Sequence, residues 1–297
     1  MVRLASVTAF AALAACGVST APPADLGWMA GAADEVSLAE LSIPGTHETL
    51  ALYEPLAGTA TCQRLSLAAQ LRAGVRYLDV RCRHLDDAFA IYHGPVFEQQ
   101  TFDDVLATVG EFLAAHPSES VVMSVKEESV ADGATRSFEQ TFASYVARAP
   151  ERWYLGAAVP TLGDVRGKIV LVRRFAATAA PLGIDASAWA DNTTFSLAPS
   201  LRVQDAYVVT DNASKWDAIT ALFGEARASS QTLFLDYASG YQAHGVIPNI
   251  PSVSDVINPQ LDAYLVDPGN AGAHLGIVVT DFMTESRARR IVESNRL

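Results

Sequence analysis

Cysteine is scarce in this chain: Cys16, Cys62 and Cys82 are the only three in 297 residues. None shows the paired spacing of a structural zinc site, so a zinc-built module is excluded. Positive charge is also short. Lys and Arg total 21 against 33 Asp and Glu, for a net charge of −12 at pH 7. No Lys/Arg-rich run or basic domain is present, which excludes nucleic acid as a partner. The same acidity argues against a general attraction to anionic membranes, so an anionic substrate must be met by a local basic site. Beyond the first sixteen residues no apolar stretch reaches the roughly 20 residues that cross a bilayer. Internal repeats and low-complexity domains are missing as well.

What is present is ordinary globular composition, 50% hydrophobic and 18% charged, long enough for one large α/β barrel or two smaller domains. Residues 1–16 read as a targeting segment: Arg3, an apolar run, then Leu13-Ala14-Ala15-Cys16. That ending matches a lipoprotein box, which would leave Cys16 first and lipidated. The alternative is a secretory signal cut near "GVSTAPPA". Either way the mature chain is expected to be exported, free or lipid-anchored, with 17–27 as a short tether and 28–297 as a single catalytic domain. Export to an oxidising compartment makes a Cys62–Cys82 disulfide the expectation, worth about 3 kcal/mol in the chain-entropy picture. Two unpaired buried thiols are the alternative.

Apolar runs with strand character recur at 40–46, 75–82, 88–93, 120–126, 168–174, 201–205, 232–237 and 275–281. Helical patterns occupy 66–73, 101–115, 137–148, 214–226 and 284–294, with Ser137 and Ser214 as candidate N-caps. Several strands are apolar throughout, as expected when both faces are covered. Eight such strands predict an α/β fold of the (β/α)8 TIM-barrel type, distorted or short of some helices.

Polar residues then fall into a pattern. The stretch "LSIPGTHETL" delivers His47 and Glu48 just past the first strand. Asp79 and Arg81, two apart on the second, share one face. His93 ends the third, Lys126 the fourth, Arg174 the fifth, Asp205 and Tyr207 the sixth, and Asp281 the eighth. A charge in an apolar strand is costly unless paired. So many at one end point to a pocket for a polar, anionic ligand, at the end where barrel enzymes keep their chemistry. A structural Asp79–Arg81 pair, a solvated Lys126-Glu127-Glu128 loop and a merely packed Tyr207 are the bland readings. His84, His116, His244 and His274 match no motif and read as surface or loop residues.

The segments "SIPGTHETL", "QLRAGVRYLDVRCR", "IYHGPVF", "VVMSVKEE", "GKIVLVRRF", "VQDAY" and "IVVTDF" run in order from about residue 40 to 294. Together they resemble the bacterial phosphatidylinositol-specific phospholipase C family and its catalytic X-type barrel. The resemblance implies cleavage of a phosphodiester by the neighbouring inositol 2-hydroxyl, giving diacylglycerol and inositol 1,2-cyclic phosphate. It implies His47 as general base, His93 as general acid and Asp281 orienting His47. Arg81 would neutralise the phosphate oxygens and Asp79 would hold Arg81. Lys126, Arg174, Asp205 and Tyr207 would bind phosphate and inositol. Bacterial members usually carry Asp after the first histidine; Glu48, one methylene longer, departs from that and leaves its assisting role open.

Metal-dependent relatives bind Ca²⁺ through an Asn after the first histidine and strand carboxylates. Here Arg81 and Lys126 stand where two of those carboxylates would be, so no metal and no cofactor are expected. A lipid substrate implies transient contact with a membrane surface, for which 49–57 and 238–251 are candidate rim stretches; core or lid segments are the alternative reading of both. Nothing calls for more than a monomer. Two competing readings are a metal-dependent glycerophosphodiester phosphodiesterase and a non-catalytic inositol-phosphate-binding lipoprotein. "LDVRC" lacks the E-x-D pair of the first, and the presence of both histidines argues against the second.

Overall fold

The computed structural model describes residues 27–197 and 200–295. The expected targeting segment 1–16, Cys16 included, and all but the last residue of the expected 17–27 tether lie outside the described residues. The core is a curled sheet of seven parallel strands in the order β7 (Ile169–Arg174), β5 (Val121–Asp132), β2 (Tyr77–Leu85), β1 (Ile43–Thr46), β14 (Ile277–Thr280), β11 (Leu233–Tyr237) and β10 (Leu201–Asp205). Beyond β10 lies antiparallel β9 (Thr193–Leu197). Beyond β7 lie two two-residue strands, β6 (Trp153–Tyr154) and β8 (Ile184–Asp185). Among the described residues these edges do not pair with one another, so the barrel is open on one side.

Alternation along each strand divides the apolar residues into two layers. Ile43, Tyr77, Val122, Val170, Val172, Val203, Ile277 and Val279 fill the barrel interior. Leu78, Val80, Val121, Met123, Val125, Ile169 and Leu171 face outward onto the helices. Those helices include α1 (Leu67–Ala73), α2 (Phe102–Ala115), α3 (Phe138–Val146), α5 (Asn212–Arg227), α6 (Pro251–Val266) and α7 (Glu285–Glu293); the one-turn α4 (Leu162–Val165) precedes β7. Between β7 and β10 the described chain holds no α-helix, and this accounts for the open side. A buried ion pair ties the base of the barrel: Arg76 Nη2 lies 2.8 Å from Glu119 Oε2, both side chains fully buried.

Several expectations need correction. The strand at 88–93 does not belong to the barrel wall. It is β3 (Ala88–His93), antiparallel to β2 and continued by β4 (Val96–Thr101) as a hairpin excursion. Ser214 is not the cap of α5: Asp211 accepts from the backbone N–H of Ala213 and Ser214, and Ser214 sits in the first turn. Ser137 does cap α3, with Gln140 closing a capping box. The helix α6 has no counterpart in the sequence reading. Pro251 and Pro259 obscure it, although its Val253, Ile257 and Leu261 recur at i, i+4 and i+8 on the buried face. Within 238–251 a small hairpin forms from β12 (Gln242–His244) and β13 (Ile247–Asn249).

The Cys62–Cys82 disulfide is absent: both are free and buried. Cys82 packs in the outer core on β2, whereas Cys62 lies beside His47 and His93 in a separate cluster with Ala51 and Ile250. His84 is also not a surface residue. It is buried, with Nε2 2.9 Å from Thr141 Oγ1, and packs edge-on against Phe89 and Phe138. Nor is His274 free: its Nδ1 donates to the Ala226 carbonyl at 2.8 Å.

Candidate active site

The interior parity that packs the barrel also aims the polar residues. Counting by twos, Ile43 and Gly45 lead to His47, Tyr77 leads to Asp79 and Arg81, and Val122 and Ser124 lead to Lys126. On the other strands Val170 and Val172 lead to Arg174, Leu201 and Val203 to Asp205, and Ile277 and Val279 to Asp281. Each strand thus changes from core to charge at its C-terminal end. His47, Arg81, His93, Lys126, Arg174, Asp205 and Tyr207 all line one cavity of about 550 Å³ there. His93 alone arrives by another route, on the tip of the β3–β4 hairpin.

Two turns with unusual backbone hold the first histidine and its carboxylate. Glu48 and Phe282, each directly following one of the pair, take positive φ values of 42° and 48°. His47 Nδ1 donates to Asp281 Oδ1 at 2.8 Å. The second oxygen, Oδ2, accepts from the Gly240 backbone N–H at 3.2 Å. A Cβ on Gly240 would stand 2.8 Å from the Tyr207 carbonyl oxygen, so this approach needs glycine. Gln63 locks the turns together: its Nε2 donates to the carbonyls of His47 and Thr280, each at 2.8 Å. Gly45, within β1 itself, permits a similar close approach: a Cβ there would meet the Tyr77 ring at 2.9 Å.

His93 is oriented by a carbonyl rather than a carboxylate. Its Nδ1 donates to Ala60 O at 2.7 Å, which leaves Nε2 bare and 3.7 Å from Glu48 Oε1. Burial, and then the nearby Arg81 cation, lower its pKa.

Arg81 is the charge centre. Its Nε and Nη2 donate to Asp79 Oδ2 at 3.2 and 2.9 Å, and Nη1 lies 2.6 Å from Glu48 Oε1 and 3.8 Å from Glu128 Oε2. Burial alone would raise the Asp79 carboxyl, but Arg81 and Arg174 hold it well below the usual range. Glu128, beside Arg81 and Lys126, is likewise lowered against its burial. Glu48 goes the other way, to about 8, because it is buried beside two carboxylates that already neutralise the guanidinium.

The rest of the pocket suits a hydroxylated ring. Arg174 Nη1 lies 3.5 Å from Asp79 Oδ1, and its guanidinium stacks 3.7 Å above the Trp189 ring. Trp189 Nε1 donates to Asp205 Oδ2 at 2.9 Å. Tyr207 donates from its hydroxyl to Asp191 Oδ1 at 2.7 Å, which pushes its own pKa up to about 12. Lys126 Nζ donates to Glu128 Oε2 at 2.7 Å while still lining the cavity. Lys215, buried beneath, fixes the strand ends by donating to Ala206 O and Tyr237 O at 2.9 and 2.5 Å.

All ten predicted site residues therefore converge on one place. Gln63, Glu128, Trp189, Asp191, Lys215 and Gly240 were not anticipated. Most lie in loops or helices whose periodicity carries no information about a pocket. Glu128 had a signal: it continues β5, which runs on to Asp132 instead of ending at residue 126.

Comparisons with known proteins agree with this geometry. Residues 37–175 match the family described as "Phosphatidylinositol-specific phospholipase C, X domain". The 1-phosphatidylinositol phosphodiesterase of Listeria monocytogenes is 30% identical over 282 residues, covering 91% of this chain and 84% of that protein. A protein of the same name from Staphylococcus aureus is 31% identical over 278 residues, covering 86% of this chain and 87% of that one. A solved structure of the Staphylococcus aureus phosphatidylinositol-specific phospholipase C superposes with a TM-score of 0.81 at 28% identity, covering 92% of this chain and 98% of that one. The solved Listeria monocytogenes phospholipase C gives 0.78 at 26% identity, covering 92% and 99%. With its barrel, its paired histidines and its near full-length relatives in agreement, the chain belongs to the bacterial phosphatidylinositol-specific phospholipase C family.

Proposed function

We propose that the chain cleaves phosphatidylinositol by attack of the inositol 2-hydroxyl on phosphorus, releasing diacylglycerol and inositol 1,2-cyclic phosphate. The observation that carries this is the matched state of the two imidazoles. In each, Nδ1 is engaged by the protein, by Asp281 in one case and the Ala60 carbonyl in the other. Each ring therefore has Nε2 left for substrate, in the same cavity as Arg81.

His47 Nε2 takes the 2-hydroxyl proton, and Asp281 stabilises the imidazolium that results. The hydroxyl oxygen bonds to phosphorus as the bond to the diacylglycerol oxygen breaks, and proximity within one substrate supplies much of the rate. Arg81, held rigid by Asp79, meets the charge building on the non-bridging oxygens. The departing oxygen takes its proton from the His93–Glu48 pair. Near neutrality burial keeps that proton on Glu48, 3.7 Å from the bare Nε2. Lys126 adds positive charge. Arg174 and Asp205 bind inositol hydroxyls, and Tyr207 offers its ring face.

No metal enters this scheme. Asp79 is already engaged by Arg81 and Arg174, and Glu48 by Arg81, so the carboxylates are not free to form a calcium cage. Val246 lines the cavity mouth beside Ile247, and these two with Tyr53 and Leu56 of the other rim stretch are exposed apolar side chains suited to brief contact with a bilayer. Export, with the chain tethered through a lipidated Cys16 or released, rests on the N-terminal sequence.

The test is phosphorus NMR on phosphatidylinositol micelles in excess EDTA, with His47→Ala alongside. A cyclic inositol phosphate signal, absent in the variant, is expected. Product appearing only after Ca²⁺ is added would overturn the metal-free scheme, and no product under either condition would point to another substrate.

A further inference from the structure

Cys62 takes no role in the scheme above, yet it stands directly behind both histidines. It is fully buried against Ala51 and Ile250, and its thiol lies 3.6 Å from the Ala60 carbonyl oxygen and 3.9 Å from His93 Nδ1. One ring nitrogen of His47, the Cys62 sulfur and one Asp281 oxygen all lie within 4.8 Å of one another. Donors around a tetrahedral zinc ion, with bonds of about 2.0–2.3 Å, are about 3.3–3.8 Å apart. Side-chain rotations of about 1 Å would bring these three into range, drawing the sulfur inward and opening the 2.8 Å His47–Asp281 contact. The fourth position would open toward the cavity, where His47 is 14% exposed.

We propose that His47, Cys62 and Asp281 form a site for a soft divalent cation, zinc by preference, whose occupation switches the enzyme off. One imidazole, one thiolate and one carboxylate are a zinc donor set. Calcium and magnesium, which seek oxygen ligands, are selected against by the sulfur. The ion displaces the thiol proton to solvent and the ring proton from His47 Nδ1, which is taken up at Nε2, and the thiolate and the Asp281 carboxylate together balance its two positive charges. With the metal bound, the Asp281 oxygen and the His47 ring are coordinated, and His47 is no longer positioned to accept the 2-hydroxyl proton.

The inhibition rests on the proposed function; the binding does not, and the test separates them. Zinc is titrated against wild type, Cys62→Ser and Cys62→Ala, each compared with its own rate in chelator. The half-inhibiting concentration should rise at least about ten-fold in both variants, and chelator should restore the wild type. Cobalt(II) is then added in place of zinc without substrate. A thiolate-to-cobalt charge-transfer band should appear at one ion per chain, persist in Cys82→Ala and vanish in Cys62→Ser. Equal zinc sensitivity in the Cys62 variants, or no cobalt–thiolate band in the wild type, overturns the site. A band without any measurable lipid cleavage would keep the site and reject the proposed substrate.

Discussion

Glu48 and Arg81 are in direct contact, with Oε1 2.6 Å from Nη1, and the same carboxyl oxygen faces His93 Nε2 at 3.7 Å. One side chain therefore joins the proposed phosphate clamp to the proposed leaving-group acid, and in that scheme its protonation state decides whether the acid is loaded.

A pH profile reads this directly. Burial raises Glu48 to about 8 and lowers His93, so the pair holds its proton on Glu48 at neutral pH and loses it as pH rises through about 8. The expected kcat profile falls on the alkaline side with a midpoint near that value. Glu48→Gln, which cannot titrate, should lose this limb and lower kcat roughly 10–100-fold. An unchanged limb in the variant would assign it to another group.

Asp281 accepts from Nδ1 of His47 and from the Gly240 N–H, so it fixes both tautomer and ring orientation. Asp281→Asn keeps the shape but presents the wrong hydrogen-bond pattern. The expected loss is roughly 10³–10⁴-fold in kcat, with KM little altered, in steady-state kinetics on short-chain phosphatidylinositol.

Stability should depend on a site far from the chemistry. Glu119 pairs with Arg76 at the base of the barrel and also accepts from the Met29 backbone N–H. Glu119→Ala removes the counter-charge from a buried guanidinium, which keeps its bonds to the Leu71 and Val75 carbonyls, and the acceptor of the Met29 amide. It should cost about 3 kcal/mol or more in urea unfolding, while the surviving folded fraction keeps its kcat.

At the mouth, Val246 is 98% exposed between β12 and β13. Val246→Asp should weaken vesicle binding several-fold in a sedimentation assay. Activity should fall more on vesicles than on monomeric short-chain lipid; equal losses would show that Val246 shapes the pocket rather than the membrane contact.

Much of this was legible because barrel physics leaves a mark on sequence. Runs such as "VVMSV" are apolar throughout, since both faces are buried, and a charge closing such a run has few structural uses. Seven of the eight expected strands are in the sheet wall for that reason. The eighth failed at 88–93, where alternation in "AFAIYH" is as natural for a hairpin as for a wall strand. The disulfide failed because export says nothing about distance: Cys62 and Cys82 pack in different clusters. Trp189, Asp191 and Gly240 could not be read because loops place them by tertiary contact, without a period.

The hairpin position of His93 divides the machine along a mechanical boundary. The proposed base and its carboxylate sit in turns just past parallel wall strands and Arg81 lies within one, while His93 stands at the tip of a two-stranded arm that pairs with β2 and packs Phe89 and Ile91 into the core. An ester whose leaving group departs without a proton would be blind to that arm and would use only the rigid half. On the proposed scheme the wall carries the attack on phosphorus, and the tip of the arm is where a change would alter which alcohols are let go.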